Sequence, residues 1–284
     1  VKFEDFLRSY AIYKKQGVGN HLFETLRLFD VLSGGKLIEA LSIQDLETLD
    51  VASIAKKRRQ GVPLEYILGK APFMGKTFYC TNDTLIPRQE TSLLVTTAKD
   101  IISRRKKHGS GMQTVVEIGT GCGNIAVSLA LLCDDGVRIL ASDISPSALK
   151  IARRNVNKFH VHEKIMLFCG DLFEPFDDYQ GKTDMVICNP PYIPTTSLKK
   201  LDPEIIGHEP IVALDGGHYG IDFFRRLING ASTVLKHGGV LIFEIGEGQE
   251  KLVKRLFAGK DVYKNIEYYK YEDDIRVVSA IKEK

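Results

Sequence analysis

From residue 114 onward, short apolar runs alternate with helix-patterned stretches, and nothing else in the chain narrows its possible folds so far. Residues 114–118 read as a buried strand, 124–132 as a helix, 137–142 as a strand and 147–159 as a helix. Residues 164–169 and 184–188 read as strands, 221–235 as a helix and 240–245 as a strand. Two last strand-like runs, 262–270 and 275–281, suit a hairpin. Strands that alternate with helices imply an α/β fold with a mostly parallel, doubly wound sheet. In such sheets ligands bind beyond the carboxyl ends of the strands, where the strand order reverses. Binding and chemistry are therefore expected in the residues that follow strands.

Three strand ends carry residues suited to a bound cofactor. The first runs into Gly119-Thr120-Gly121-Cys122-Gly123 and then a helix. Glycines let a backbone turn tightly and approach a ligand closely. A dinucleotide fingerprint needs its third glycine at position 124, which is Asn124, so the loop suits a cofactor without a pyrophosphate. A purely structural strand-to-helix turn is the plainer alternative. Asp143 ends the second strand, where a carboxylate can accept from both hydroxyls of a ribose. It could equally be a turn or cap residue in Asp-Ile-Ser-Pro-Ser, although Ser145 is the better cap. Asp171, in Cys169-Gly170-Asp171-Leu172, is placed to accept from an adenine amine, or is an ordinary loop carboxylate.

The sharpest element is Asn189-Pro190-Pro191-Tyr192, after the fourth strand. Two prolines fix φ and remove two donors. The carbonyls of Asn189 and Pro190, with the Asn189 side-chain oxygen, then offer only acceptors, which match the two protons of an NH2 group. Holding both protons aims the nitrogen lone pair at a third point, where a methyl group can sit. Tyr192 supplies a flat face for a planar amide or base. The alternative is a rigid turn that merely closes a strand.

The first part of the chain is different. Phe3, Phe6, Leu7 and Tyr10 recur at helix spacing, and Asn20 precedes a second amphipathic run that Gly34-Gly35 closes. Ser42 can cap a third helix, with Leu46, Leu49 and Ile54 on one side, ending in Lys56-Lys57-Arg58-Arg59 before Gly61 and Pro63. That basic run reads as a solvated helix end, with contact to RNA or an acidic partner as the rival. Gly69, Pro72, Gly75 and Pro87 punctuate a hairpin or linker, a helix covers 91–106, and a polar break follows at 108–111. The expected division is a helical domain at 1–75, a hairpin or linker at 76–90 and a second domain at 91–284.

Composition narrows the classes, and its charge balance permits an RNA-bearing or acidic partner without arguing for one. The net charge is only +3, low for a dedicated nucleic-acid binder. No apolar run is long enough to span a membrane. The start, Val1-Lys2-Phe3-Glu4-Asp5, lacks the apolar stretch of a secretory signal. Cys80, Cys122, Cys133, Cys169 and Cys188 are odd in number and form no CxxC, so they read as reduced and buried in a cytoplasmic protein. His160-Val161-His162 is the only close histidine pair and reads as a solvated helix end, so no metal is expected.

Together these motifs resemble the HemK-like N5-glutamine methyltransferases that modify peptide chain release factors. The resemblance spans roughly residues 63 to 284 on sequence pattern. It rests on Pro63-Leu64-Glu65-Tyr66-Ile67-Leu68-Gly69, Leu85-Ile86-Pro87-Arg88-Gln89-Glu90-Thr91, the loop from Glu117 to Gly123, and Asn189-Pro190-Pro191-Tyr192-Ile193. Glu209-Pro210, Ala213-Leu214, Gly216-Gly217 with Gly220, and Phe243-Glu244-Ile245-Gly246 extend it. Gln89 stands where the family has proline, and Ser92 where glutamate is usual.

The resemblance implies a class I methyltransferase fold, with a Rossmann-like seven-stranded sheet and a small N-terminal helical domain that helps grip the release factor. It implies S-adenosylmethionine contacts at Glu117, Gly119, Thr120, Gly121, Cys122, Gly123, Asp143, Asp171, Leu172 and Asn189. It further implies that Asn189, Pro190, Pro191 and Tyr192 hold the glutamine of a Gly-Gly-Gln motif, in a monomer that needs neither membrane nor nucleic acid. The nearest rival is an adenine- or cytosine-amino methyltransferase acting on DNA or RNA, since exocyclic amines ask for the same four residues, and a ribosomal-protein glutamine methyltransferase of the same family also stays open. A non-catalytic S-adenosylmethionine-binding scaffold is a rival of another class.

Overall fold

A computed structural model describes residues 3–33, 50–107, 111–133 and 136–283. In chain order the elements are α1 (Phe3–Lys15), α2 (His21–Ser33), α3 (Val51–Arg59), α4 (Leu64–Leu68), β1 (Lys70–Phe73), β2 (Lys76–Tyr79), α5 (Thr91–Lys107), β3 (Gln113–Ile118), α6 (Asn124–Leu132), β4 (Val137–Asp143), α7 (Pro146–Lys158), β5 (Ile165–Cys169), β6 (Thr183–Cys188), α8 (Pro203–Ile206), α9 (Asp222–Val234), β7 (Leu235–Glu244), α10 (Glu250–Phe257), β8 (Tyr263–Tyr271) and β9 (Asp274–Lys282). They form two compact units. The first is Val1–Pro87 with Leu201–Pro210; the second is Arg88–Lys200 with Ile211–Lys284.

The first unit packs Tyr13, Val18, Leu28, Phe29, Val31, Ile54, Ala55 and Leu64 into one apolar cluster. The cap expected at Ser42, with Leu46 and Leu49, and the stop at Gly34-Gly35 lie outside the described residues, as do the side chains of Phe3 and Phe6. The described α3 begins at Val51, where the Asp50 carboxylate accepts from the Ser53 N–H. The hairpin β1–β2 turns at Met74-Gly75, both at positive φ.

Two features of this unit depart from the sequence reading. Arg58, expected in a solvated helix end, has a side chain only 6% exposed and is clasped by Glu24 and Glu204, each through both carboxylate oxygens. Burial alone would lower its pKa, but the two carboxylates outweigh burial and hold it charged. Its neighbours Lys56, Lys57 and Arg59 are exposed. The second departure is segment 201–210, which joins the unit from more than a hundred residues away. Besides Glu204 it supplies the buried Glu209, which accepts from the Ile86 N–H at 3.3 Å.

The second unit is a seven-stranded sheet of order β5-β4-β3-β6-β7-β9-β8. The first five strands are parallel, and β9 runs antiparallel to both neighbours. The order reverses between β3 and β6. Every residue of β6 is buried, as a central parallel strand covered on both faces requires. α9 lays Phe224, Leu227, Ile228 and Ala231 on the sheet beside Leu241 and Phe243. Gly230, on α9, has no room for a side chain because the Phe173 ring occupies that space. Among the described residues no helix is long and apolar enough to cross a membrane.

Candidate functional site

Register brings the sequence signals into line. Ser142, Ile118, Cys188 and Phe243 are paired across β4, β3, β6 and β7. The next residue on each strand is Asp143, Gly119, Asn189 and Glu244. A single row across the switch point thus carries three expected site residues, and a fourth that the strand-end argument did not single out.

Gly119, Gly121 and Gly123 all have positive φ. A Cβ at Gly119 or Gly121 would meet no other atom within 4 Å, whereas at Gly123 it would press on Ala152 at 3.3 Å. The first two glycines therefore line open space, and the third lets α6 start against α7. Thr120 is buried and donates to Glu117 Oε2 at 2.9 Å. Cys122, also buried, uses its carbonyl to accept from Asn155 Nδ2. Glu117 is wholly buried, and its Oε1 has no hydrogen-bond partner among the described residues. Burial pushes its pKa up to about 8, against the lowering effect of the Thr120 hydroxyl.

Asp143 accepts from the Gly121 N–H at 2.8 Å and the Ser145 N–H at 2.9 Å, one on each oxygen. It is therefore the turn residue of the plainer reading. Each oxygen still has a second lone pair, so a ribose diol remains compatible. Ser145 caps α7, its hydroxyl accepting from the Ala148 N–H. Asp171 pairs with Arg226 at 2.6 Å on a largely exposed surface. Leu172 is buried at φ 50°. An adenosine-bearing cofactor suits this set on two observations of the chain itself: the open glycine cradle and the unmatched carboxylate oxygen beneath it.

Asn189-Pro190-Pro191-Tyr192 leaves the end of β6. Among the described residues no hydrogen bond ends on the carbonyl oxygen of Asn189 or Pro190. The Asn189 amide NH2 donates to Thr91 Oγ1 at 3.1 Å, and the Thr91 hydroxyl donates to Glu244 Oε2 at 2.7 Å. Arg276 reaches Glu244 Oε1 at 3.4 Å and the Tyr192 hydroxyl at 3.1 Å, its guanidinium 5.6 Å from that ring's centroid. Gln249 Nε2 donates to the Tyr192 carbonyl, while Gln249 Oε1 accepts from the Gly246 N–H. Burial pushes Glu244 up to about 7, opposed by Thr91 and Arg276. Burial also raises the Tyr192 phenol to about 12, so it stays protonated.

The later glycines belong to the same construction. A Cβ on Gly216 would stand 2.8 Å from the Pro191 carbonyl and the Tyr192 Cα, and one on Gly220 would strike the Tyr192 carbonyl. Ile193 bridges to Asp215, so these glycines pass directly against the motif. Thr91, Glu244, Gln249 and Arg276 were missed as site residues. Glu244 had a usable signal, since it ends a strand like Asp143. Arg276 had none, because it enters from the antiparallel strand.

Cys80, Cys122, Cys133 and Cys188 are buried, but Cys169 is exposed, against expectation. His160 and His162 are exposed at the end of α7. Among the described residues no cluster of three or more potential ligands could hold a metal.

The methyltransferase small domain family matches residues 91–271. The release factor glutamine methyltransferase of Synechocystis is 33% identical, over 99% of this chain and 97% of that protein. That of Bacillus subtilis is 35% identical over 84% of each, and that of Geobacter sulfurreducens is 38% identical over 72% of this chain and 68% of that one. Among solved structures, the catalytic domain of human METTL16 in complex with an RNA hairpin aligns with a TM-score of 0.57 at 16% identity, over 81% of each chain. The N-terminal domain of human METTL16 in complex with SAH aligns at 0.53 and 18% identity, over 82% of this chain and 84% of that one. At such identities the likeness is one of fold.

Proposed function

The chain belongs to the release factor glutamine methyltransferase family and has the class I methyltransferase fold, and on that footing we propose that it methylates the side-chain N5 of the glutamine in the Gly-Gly-Gln motif of a peptide chain release factor. The products are N5-methylglutamine and S-adenosylhomocysteine. One observation carries this reading: an acceptor-only face at Asn189 and Pro190, at the sheet's switch point and next in register to the Gly119 cradle.

S-adenosylmethionine supplies an electrophilic methyl group on a sulfonium. Gly119 and Gly121 let the backbone approach it, with Thr120, Cys122, Gly123 and Glu117 shaping the loop. Asp143 would take the ribose hydroxyls, and Asp171 with Leu172 the adenine. Arg226 competes for Asp171 and must share it.

An amide nitrogen is a poor nucleophile because its lone pair is delocalised. Asn189 Oδ1 and the carbonyls of Asn189 and Pro190 accept from its two N–H groups, so positive charge can develop there at lower cost. Pro191 locks the turn, and Tyr192 offers its ring to the amide plane. These acceptors would aim the nitrogen lone pair at the methyl group that the bound sulfonium supplies, S-adenosylhomocysteine leaving with the C–S electron pair. The methylated amide is strongly acidic and loses its proton to water, which suits a motif without histidine or lysine. Residues 91–284 do this chemistry. The helices of 1–75 are assigned to recognising the release factor, by a monomer in the cytoplasm.

The test is mass spectrometry after incubation with S-adenosylmethionine and release factor from cells lacking such an enzyme. One methyl on the Gly-Gly-Gln glutamine is expected. Transfer to oligonucleotide adenine, with none to protein, would overturn the substrate.

A further inference from the structure

We propose that Thr91 and Glu244 are positioning residues: together they form a one-way hydrogen-bond relay that fixes which end of the Asn189 amide serves as the acceptor. The proposal rests on the substrate reading above for its catalytic meaning, but the relay itself rests on geometry.

An asparagine amide is nearly symmetric in shape, and only its hydrogen bonds decide which end is oxygen. Thr91 Oγ1 lies between Glu244 Oε2 and the Asn189 amide, at 2.7 Å and 3.1 Å. A hydroxyl has one proton to give. An ionised Glu244 is acceptor-only, so it takes that proton. Thr91 Oγ1 must then accept from its other neighbour, which makes that neighbour the NH2 end. The oxygen end of Asn189 is turned the other way, and among the described residues it takes no hydrogen bond. Without this constraint either end could face the substrate, and an NH2 end would oppose the two donors of an amide.

The relay also closes on the motif. Arg276 links Glu244 Oε1 to the Tyr192 hydroxyl. A chain of contacts therefore leaves the first residue of Asn189-Pro190-Pro191-Tyr192 and returns to the last. The groups facing Glu244 are Thr91, Arg276, Tyr192 and Cys188, with Glu90 beyond at 3.7 Å from Arg276. Arg276 is the one cation among them and favours the ionised form on which the direction depends. If Glu244 takes up a proton, its O–H can donate to Thr91. The Thr91 proton then points at Asn189, and the amide is driven to present NH2 instead. The relay reverses as a unit.

Two readouts separate the relay from the substrate assignment. In the full-length protein, the Asn189 side-chain NH2 signal is identified by its loss in Asn189→Ala and followed by 15N NMR between pH 5.5 and 8.5. It is expected to titrate with a midpoint near 7 in the wild type and not in Glu244→Gln. In turnover, Thr91→Val is expected to lower kcat about 10–100-fold on the scale of one misplaced hydrogen-bonding group, with donor affinity changed less than about threefold, while Thr91→Ser recovers most of the rate. A flat NMR profile in the wild type overturns the relay. So does a Thr91→Val enzyme of normal kcat, or a Thr91→Ser enzyme as slow as Thr91→Val. A wild-type protein that methylates no release factor overturns the substrate reading instead, and the NMR titration still decides the relay.

Discussion

The loop after β3 and the segment after β6 leave adjacent strands in register, yet they are built in opposite ways. The loop from Gly119 to Gly123 is kept open by missing side chains, and space surrounds the Cβ positions of Gly119 and Gly121. The segment from Asn189 to Tyr192 is stiffened by two prolines and braced by Thr91, Glu244, Arg276 and Gln249. Glycines serve both, but in different senses. At Gly119 the absent Cβ leaves open space, which the proposed function gives to the cofactor; at Gly216 and Gly220 it leaves room for the protein's own backbone. A bound cofactor can be held by many weak contacts to a permissive backbone. A reacting amide needs a few acceptors held still.

Substitutions can break this contrast. The largest effect is expected from Asn189→Ala, which removes a braced acceptor. Its kcat should fall by about 10²–10³-fold while donor affinity stays nearly unchanged. Equal losses in calorimetric affinity and turnover would erase the distinction between the two loops. Gly220→Ala comes next. Its Cβ strikes the Tyr192 carbonyl at φ +70°, so a stability loss of about 2–4 kcal/mol is expected in denaturant unfolding. Gly119→Ala has the same φ of +70° but open space, so it should cost only about 1–2 kcal/mol of stability. Its main deficit should appear in donor affinity. If the two alanine variants are equally stable, the proposed difference between cradle and brace is wrong.

The smallest effect concerns Glu117. Its pKa rises on folding to about 8, so the folded state holds the proton more tightly than the unfolded chain. Its contribution is fully present below the unfolded pKa of about 4.5 and is lost as pH rises through about 8. Glu117→Gln should therefore melt above the wild type at pH 8.5 by a few degrees, with the gap closing toward pH 5. A gap independent of pH would show that Glu117 is not the titrating group.

The middle of the sheet was legible because β3, β4 and β6 are central and mostly buried. α6 begins at Asn124 and ends at Leu132, as the pattern indicates, and each parallel strand was found to within a few residues. β7 is the exception. It starts at Leu235 rather than 240, because the register slips between Thr183 and Met185 and lets Gly238 be carried within the strand. α10 was missed although Val253 and Phe257 repeat at helix spacing, since two turns give too short a pattern. In the site, the strand-end positions of Gly119, Asp143 and Asn189 followed from the pattern, whereas Glu244, at the end of β7, was passed over. Thr91 and Arg276 could not be read that way, because their role comes from pairing with residues 98 and 84 positions away.

Segment 201–210 has a consequence for how the chain is made. Glu204 lies 146 residues after Arg58, the cation it helps enclose. A ribosome adding about 5–20 residues per second needs roughly 7–30 seconds to bridge that interval. Through that time the first helices have Glu24 but not the second carboxylate. The N-terminal unit therefore cannot mature in the order in which it is synthesised. Its last part is delivered only after the Asn-Pro-Pro-Tyr motif has already been made.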